Sequence, residues 1–445
     1  MPCPHHGHGQ DDGGESTRRR FLKAAVAAGG ASALSACLDV EADATTPEQD
    51  LSQFPRGPED LSSLPERQHA WQDYFIHDRF GNTVFPKHNT LLLLDYVGES
   101  PPTDEERAQV EGAFRTLERA FQRGTSGESN AIHHDGLLFT MGYAPSYFAQ
   151  FDADLPSSLD LPTPQELLDE LGEDDPQADD FDAAVHLASG FASVVLASEE
   201  HLLSGFDRLN GVETEGTLAG VFELAERRPG FIDKGQPARE YDHPDIPESA
   251  PLAMGLKGGF QDNLPDEDRV TIREGPFAGG TTQMVSRVES DLDRWYEESR
   301  EDRIKQIYTP EHTPEMVGDV GEDLAGFSGK TPEHVEKLPE HAADGLVGHG
   351  QKLAQARTDP DEGFATILSR RDFNGTAEPS LHFDSWQREL ADFVAVREAM
   401  NGEAFADEVD PENNGIVDYI EVTNRATFLI PPRNHRALPT PRPDR

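Results

Sequence analysis

Few side chains in this sequence combine a type and a setting that do chemistry. Histidine occurs 17 times, so a lone one carries little weight. His349 stands apart because it lies between two glycines, in Gly348-His349-Gly350. Flanks that small let a flat ring system approach the backbone. The alternative for His349 is a helix-capping or core histidine. His334 and His341 lie in an acidic, solvated stretch and are expected at the surface. Arg370 and Arg371 supply charge that is positive at any working pH. Either can hold developing negative charge, or form a salt bridge with one of the many acids. Ser369 leaves the register between the two arginines open by one residue. His133-His134-Asp135 has metal-binding composition, but neighbours on a strand point to opposite faces. There is no Gly-x-Ser-x-Gly elbow, phosphate-binding loop or His-Glu-x-x-His helix. Asp410 to Asn414 lacks full calcium-loop spacing.

The elements that must position these residues follow from hydrophobic period. Thr90 to Val97 is a short apolar run and reads as a buried strand. A helix follows, capped by Thr103, with Val110, Phe114, Leu117 and Phe121 on one face. Gly136–Tyr143 and Ala184–Ala188 read as strands, and Phe191–Leu203 as a helix. A similar order recurs later. Arg269–Ile272 and Gly279–Val288 read as strands, and Leu292–Ile307 as a helix carrying Trp295 and Ile304. Ala365–Leu368 and Leu381–Phe383 are short strands, Gln387–Met400 is a helix, and Ala426–Ile430 a last strand ended by Pro431-Pro432. Two such rounds predict two α+β sandwiches, each an antiparallel sheet with helices on one face.

Composition narrows the classes. The chain has 445 residues, 84 acidic against 38 basic, and a formal charge of −46. Such a surface repels phosphate backbones and anionic lipid, which excludes nucleic acid as a partner. Acid excess along the whole chain suits a protein held soluble in concentrated salt, so a halophilic source is expected. Two cysteines cannot build a disulfide framework. Thr17-Arg18-Arg19-Arg20-Phe21-Leu22-Lys23, with the small apolar run to Ala36, resembles a twin-arginine export signal. Leu34-Ser35-Ala36-Cys37 resembles a lipobox. Residues 1–37 are therefore expected to be a leader, with Cys37 lipid-anchored at the cell surface. His5, His6 and His8 precede the arginines and would be removed with the leader. Residues 38–75 are expected to be a flexible acidic tether.

Several stretches, in order, resemble the dye-decolourising peroxidase family. Leu138 to Tyr143 resembles its early glycine-ended strand, and Gly279-Gly280-Thr281 to Val288 its Gly-Gly strand. Gly348-His349-Gly350 to Ala354 resembles the segment of the proximal histidine, and Ile367 to Phe373 that of the distal arginine. Leu381-His382-Phe383 and Phe428 to Pro432 resemble the strands that follow. The resemblance implies two ferredoxin-like halves of the dimeric α/β-barrel type, with antiparallel sheets and flanking helices: an N-terminal half over 76–245 and a haem-binding half over 246–435. It implies haem b, with His349 as the iron ligand and Gly258 and Gly280 beside the cofactor. Arg370, or Arg371, would be the distal group. The reaction implied is reduction of hydrogen peroxide with oxidation of a small organic molecule. The family's acid stands in a Gly-x-x-Asp-Gly loop, and Gly258 occupies that place in Gly255-Leu256-Lys257-Gly258-Gly259-Phe260. Asp262 is the nearest carboxylate to it in sequence, and Asp233 lies in a similar upstream loop. Absence of the acid leaves open a second reading, a relative that binds haem or another ligand without turnover. Phe383, Trp386 and Phe393 are expected in the core rather than in an electron relay.

Overall fold

Leu91, Leu92, Leu93 and Leu94 are all fully buried. Four successive leucines require a strand covered on both faces. They lie on β1, His88–Tyr96. Leu92 and Leu94 pack with Phe114, Leu117 and Val194, whereas Leu91 and Leu93 pack with Val285, Phe373 and Phe428. One strand is thus shared between two cores, because successive side chains alternate. The computed structural model describes residues 50–125, 133–257, 264–324, 332–359, 363–376 and 378–443. The expected leader with Cys37, most of the expected tether's first part, and Gly258 and Asp262 lie outside them.

The first half runs β1, α1 (Asp104–Ala120), β2 (Leu138–Tyr143), β3 (Ala183–Ser189), α2 (Ala192–Ser204), β4 (Phe222–Phe231). Thr103 caps α1 in a reciprocal box with Glu106. The strand order is β4-β1-β3-β2, antiparallel throughout. The second half repeats it with β5 (Thr281–Ser290), β6 (Ser369–Arg370), β7 (Phe373–Gly375), β8 (Ser380–Gln387) and β9 (Ile420–Ile430). There β9-β5-β8 lie side by side, and β6 and β7 both pair with β8. Helices α3 (Arg300–Ile307), α4 (His349–Gln355) and α5 (Leu390–Asn401) belong to this half. Each half is ferredoxin-like, as expected.

The two sheets join at both edges. Asn374 and Gly375 of β7 pair with Phe231 and Gly230 of β4, and Leu429 of β9 pairs with Tyr143 of β2. The ring that results leaves no free edge between the halves. Its interior holds Leu91, Leu93, Val285, Phe373 and Phe428. It also holds a polar chain: Gln283 donates to Asp384, Asp384 meets His186 Nδ1 at 2.8 Å, and His186 Nε2 meets Asn89 Oδ1 at 3.1 Å.

Four expectations need correction. Residues 51–75 are packed rather than a tether. Phe54, Leu61, Trp71 and Phe75 are buried, and Gln68 bonds Met141 and Pro431. A segment without apolar period can still dock one side chain at a time. Arg269–Ile272 is a loop whose Ile272 backbone is spent on Gly279 and Gly280. Ala365–Leu368 forms no strand. The helix over Leu292–Ile307 breaks in two, because Ser299 caps a fresh start at Arg300.

The carboxyl-terminal segment is pinned to α1 by a buried ion cluster. Arg436 bonds Glu118 at 2.6 and 3.0 Å and Glu111 at 2.9 and 3.0 Å, while Arg433 bonds Glu118 at 2.7 and 2.9 Å. Burial pushes the Glu118 carboxyl up, but the two guanidiniums outweigh it and hold it at about 2, below the ordinary 4.5. Stability from this group is therefore complete above pH 4.5 and is lost as pH falls toward 2. Glu118→Gln should cost roughly 3–5 kcal/mol at pH 7, since it removes the buried carboxylate shared by Arg433 and Arg436 and leaves Arg436 with Glu111 alone. Urea unfolding of both proteins at pH 7 and pH 3 checks this. The gap between them should shrink at the lower pH, and an unchanged gap would refute the assignment.

Candidate functional site

In the first half, Phe114, Leu117, Val194 and Leu202 fill the space between sheet and helices. In the second half that space contains a cavity of about 260 Å³. Alternation again supplies the walls. β5 contributes Ser286, Val288 and Ser290, β8 contributes Leu381 and Phe383, and β9 contributes Ile420 and Val422. Phe393, Val396 and Met400 come from α5, and Leu353 from α4. Small serines where the first half carries bulk leave the room open. The volume is close to the lower limit for small-molecule sites, about 300 Å³.

His349 lines this cavity from the first turn of α4. The flanking glycines have a different reason from the one expected. A Cβ on Gly348 would lie 2.2 Å from the carbonyl oxygen of Tyr308, and one on Gly350 2.9 Å from the same atom. They let α4 press on the end of α3. Behind the histidine, Gly415 holds φ +64° with its Cβ position 2.9 Å from the His349 nitrogen. Lys352, one turn on, is fully buried and donates to the Asn414 carbonyl and side chain, both at 2.7 Å. Burial, then Arg397, brings its amine down to about 7. His341 is buried rather than at the surface, because Gln351 of α4 donates to its Nδ1 at 2.8 Å. His334 is half-buried near His312. Neither lines the cavity.

Arg370 lines the cavity and Arg371 does not. Residues one apart in extended chain point to opposite faces, which settles the open register. Arg371 turns into the barrel, where its guanidinium lies 4.7 Å from the Trp386 ring centre and 5.0 Å from that of Phe75. Burial lowers its pKa to about 10. Arg371, the alternative distal arginine, therefore does not share the cavity with His349. Asp372 shares the Arg370 face, two residues on, and lines the cavity with it. Its Oδ2 is 3.6 Å from Arg370 Nη1. Its Oδ1 is buried and makes no hydrogen bond among the described residues. Burial, opposed by Arg370, raises the carboxyl to about 6. The sequence reading missed Asp372, although its offset of two from Arg370 on a strand was the signal.

Other expected residues fall elsewhere. Gly280 does not line the cavity. Its Cβ position lies 2.6 Å from the Ile430 carbonyl oxygen, so it is glycine to admit a neighbouring strand. Asp233 bonds Lys87 at 2.8 Å in an adjoining polar pocket, which shares Phe85, Ile232, Pro251 and Lys257 with the cavity. His134 is buried and accepts the Ile76 N–H at 3.2 Å. No cluster of three metal-ligating side chains occurs among the described residues. Phe383 and Phe393 are cavity wall, while Trp386 is core beside Trp71. Two further cations reach the wall: Arg397 and Arg425 share Glu173, at 2.8 Å and at 2.6 and 2.7 Å. One carboxylate between two guanidiniums leaves a net positive charge there.

The donor set suits a flat, largely apolar ring system with carboxylates and a metal centre. The walls are apolar, one imidazole reaches in, and the cations Arg370, Arg397, Arg425 and Lys257 line the same space. Solved structures similar to this one include DyP-type peroxidases. A variant of DypB from Rhodococcus jostii RHA1 in complex with heme is 15% identical, with a TM-score of 0.50 over 80% of this chain and 96% of that one. A DypB variant in complex with manganese is 14% identical, with a TM-score of 0.50 over 84% and 99%. A dye-decolorizing protein from V. cholerae is 15% identical, with a TM-score of 0.49 over 82% and 98%. At such identity the likeness shows the fold alone. No curated protein matches the sequence. The model of a family of unknown function, DUF7405, matches residues 86–432, and the chain belongs to that family.

Proposed function

We propose that this protein binds haem b in the cavity of the second half and reduces hydrogen peroxide while oxidising a small organic molecule. The observation that carries the proposal is one apolar cavity lined by both His349 and Arg370. His349 would hold the iron through a neutral imidazole, and Arg397 and Arg425 offer charge to the carboxylates of the ring. Bound haem supplies the electrons that reduce the O–O bond, and an organic reductant restores them. Arg370, a guanidinium in the same cavity, would stabilise the oxygen that departs. The apolar walls exclude water and strengthen that interaction. The support is the donor set and the DyP-type architecture.

A second reading, haem carriage without turnover, is favoured by Gly258, which stands where the resembling family has its acid. Rapid mixing of the loaded protein with peroxide separates the two. A fast change in the haem absorption spectrum supports turnover, and none supports carriage.

The protein is further proposed to be exported by the twin-arginine route and anchored through lipid on Cys37, at the surface of a halophilic cell. The support is the order Arg18-Arg19, apolar run, Cys37 in the sequence, together with the charge of −46.

Two outcomes follow. Haem titration of the haem-free protein should give an intense Soret band, and His349→Ala should weaken uptake at least tenfold. Equal uptake by that variant would remove His349 as the ligand. In the native host, Cys37→Ser should move the protein from the membrane fraction to the medium, and Arg18→Lys with Arg19→Lys should hold it inside. Unchanged fractions would exclude the anchor and the route.

A further inference from the structure

Among the described residues that line the His349 cavity, Asp372 is the sole carboxylate. It faces the same space as Arg370 because both lie on one side of the extended segment joining β6 to β7. Its Oδ1 has no hydrogen-bond partner among the described residues, and Oδ2 lies 3.6 Å from Arg370. A buried acceptor without a partner costs free energy that a structural acid would avoid. The loop that resembles the family's acid loop has glycine, Gly258, in the acid's place.

We propose that Asp372 is the acid–base group of this cavity. Resting on the peroxidase reading above, its carboxylate takes the proton from one oxygen of hydrogen peroxide and returns it to the other. The O–O bond then breaks with the second oxygen leaving as water rather than hydroxide, and the first oxygen would be held by the bound haem until the organic reductant, a hydrogen-atom donor, returns two electrons and two protons and it too leaves as water. Asp372 ends as it began. The two electrons come from bound haem and are restored by the organic reductant, as above.

The surrounding groups set the range in which this works. Arg370 and Arg371 lie on the Asp372 segment, Asp384 on the neighbouring β8, and Lys257 lies beyond Arg370. Burial raises the Asp372 carboxyl and the Asp384 charge adds to it, while Arg370, a hydrogen bond from the Asp384 backbone and Arg371 oppose, with the balance at about 6. A carboxyl tuned near the working pH can both accept and return a proton. Arg371 also anchors the segment: its N–H donates to the Asp384 carbonyl at 2.7 Å, and its Nη1 donates to the Arg370 carbonyl at 2.8 Å. The acid is therefore carried on rigid backbone.

The test compares Asp372→Asn and Asp372→Glu with the native protein, all loaded with haem. Asp372→Asn is nearly isosteric and should take up haem with an unchanged Soret band. Its peroxide turnover should fall by roughly 10²- to 10⁴-fold, the usual worth of a positioned acid–base group. Native turnover should drop on the acid side with a midpoint near pH 6, and Asp372→Asn should lose that limb. Asp372→Glu should keep the limb and recover part of the rate. A second readout needs no haem. Infrared difference spectra of the haem-free protein between pH 5 and pH 7 should show a protonated carboxyl band that Asp372→Asn removes. Full turnover by Asp372→Asn would overturn the role and leave the peroxidase reading standing. Native protein that takes up haem without turnover would overturn the peroxidase reading and the role with it, even with the infrared band present. Absence of the band would overturn the role alone.

Discussion

The closure of two antiparallel sheets into one ring is the constraint on which the rest depends. Each half alone would expose an edge with unpaired backbone groups. The first junction is made by β7, which pairs with β8 on one side and β4 on the other. The second is the meeting of Leu429 with Tyr143. Closure buries Leu91 and Leu93 on one face of β1 while Leu92 and Leu94 stay with the helices. It also encloses the polar chain from Gln283 through Asp384 and His186 to Asn89, which links strands of both halves. Such a chain is worth keeping only when its members are satisfied, and the ring is what brings them together.

The same closing segment lines the cavity. β6 and β7 are short because the chain must cross from β8 to the junction, and Arg370, Arg371 and Asp372 lie on that crossing. Strand alternation sends the outer two to the cavity and the middle one into the barrel, among Trp71, Phe75, Phe85 and Trp386. A register slip of one would place two charges among aromatic rings and one in the cavity. The caged guanidinium thus fixes the site's polarity. The histidine arrives independently, on a helix whose first turn is pressed on Tyr308 through two glycines. His349 and Arg370 are 21 positions apart in sequence and share one cavity through the packing of α4 against α3 and α5.

Repetition of one topology allowed the two halves to diverge in what they enclose. In the first half α1 and α2 bring Phe114, Leu117, Val194 and Leu202 onto the sheet and fill it. In the second, Ser286, Ser290 and Ser380 line the corresponding face and a cavity persists. An apolar void costs stability unless a ligand fills it. The ion cluster of Glu118, Arg433 and Arg436 pins the carboxyl-terminal segment to α1, and the docked segment from Phe54 to Phe75 reaches both halves, with Phe54 in the first core and Trp71 beside Trp386.

Much of this was legible in the amino-acid order, because the signals were local. The leucine run, the Thr103 cap and the recurrence of strands and helices each arise from neighbouring residues, and they led to two α+β halves; the ferredoxin-like form came with the family resemblance. His349 and Arg370 were legible through short motifs in the right order. Strand β4 was not, since Phe222 to Phe231 carries Glu223, Glu226, Arg227, Arg228 and Pro229, which mask its period. Those charges are tolerated because Arg228 pairs with Asp179 and Arg227 with Glu199, partners remote in sequence. The packing of Leu51 to Phe75, the caging of Arg371, the burial of His341 and the cavity-facing carboxylate of Asp372 were likewise beyond reach of the sequence. Each depends on which distant surface a side chain meets, and that is decided when the ring closes, by burial and pairing between residues far apart in the chain.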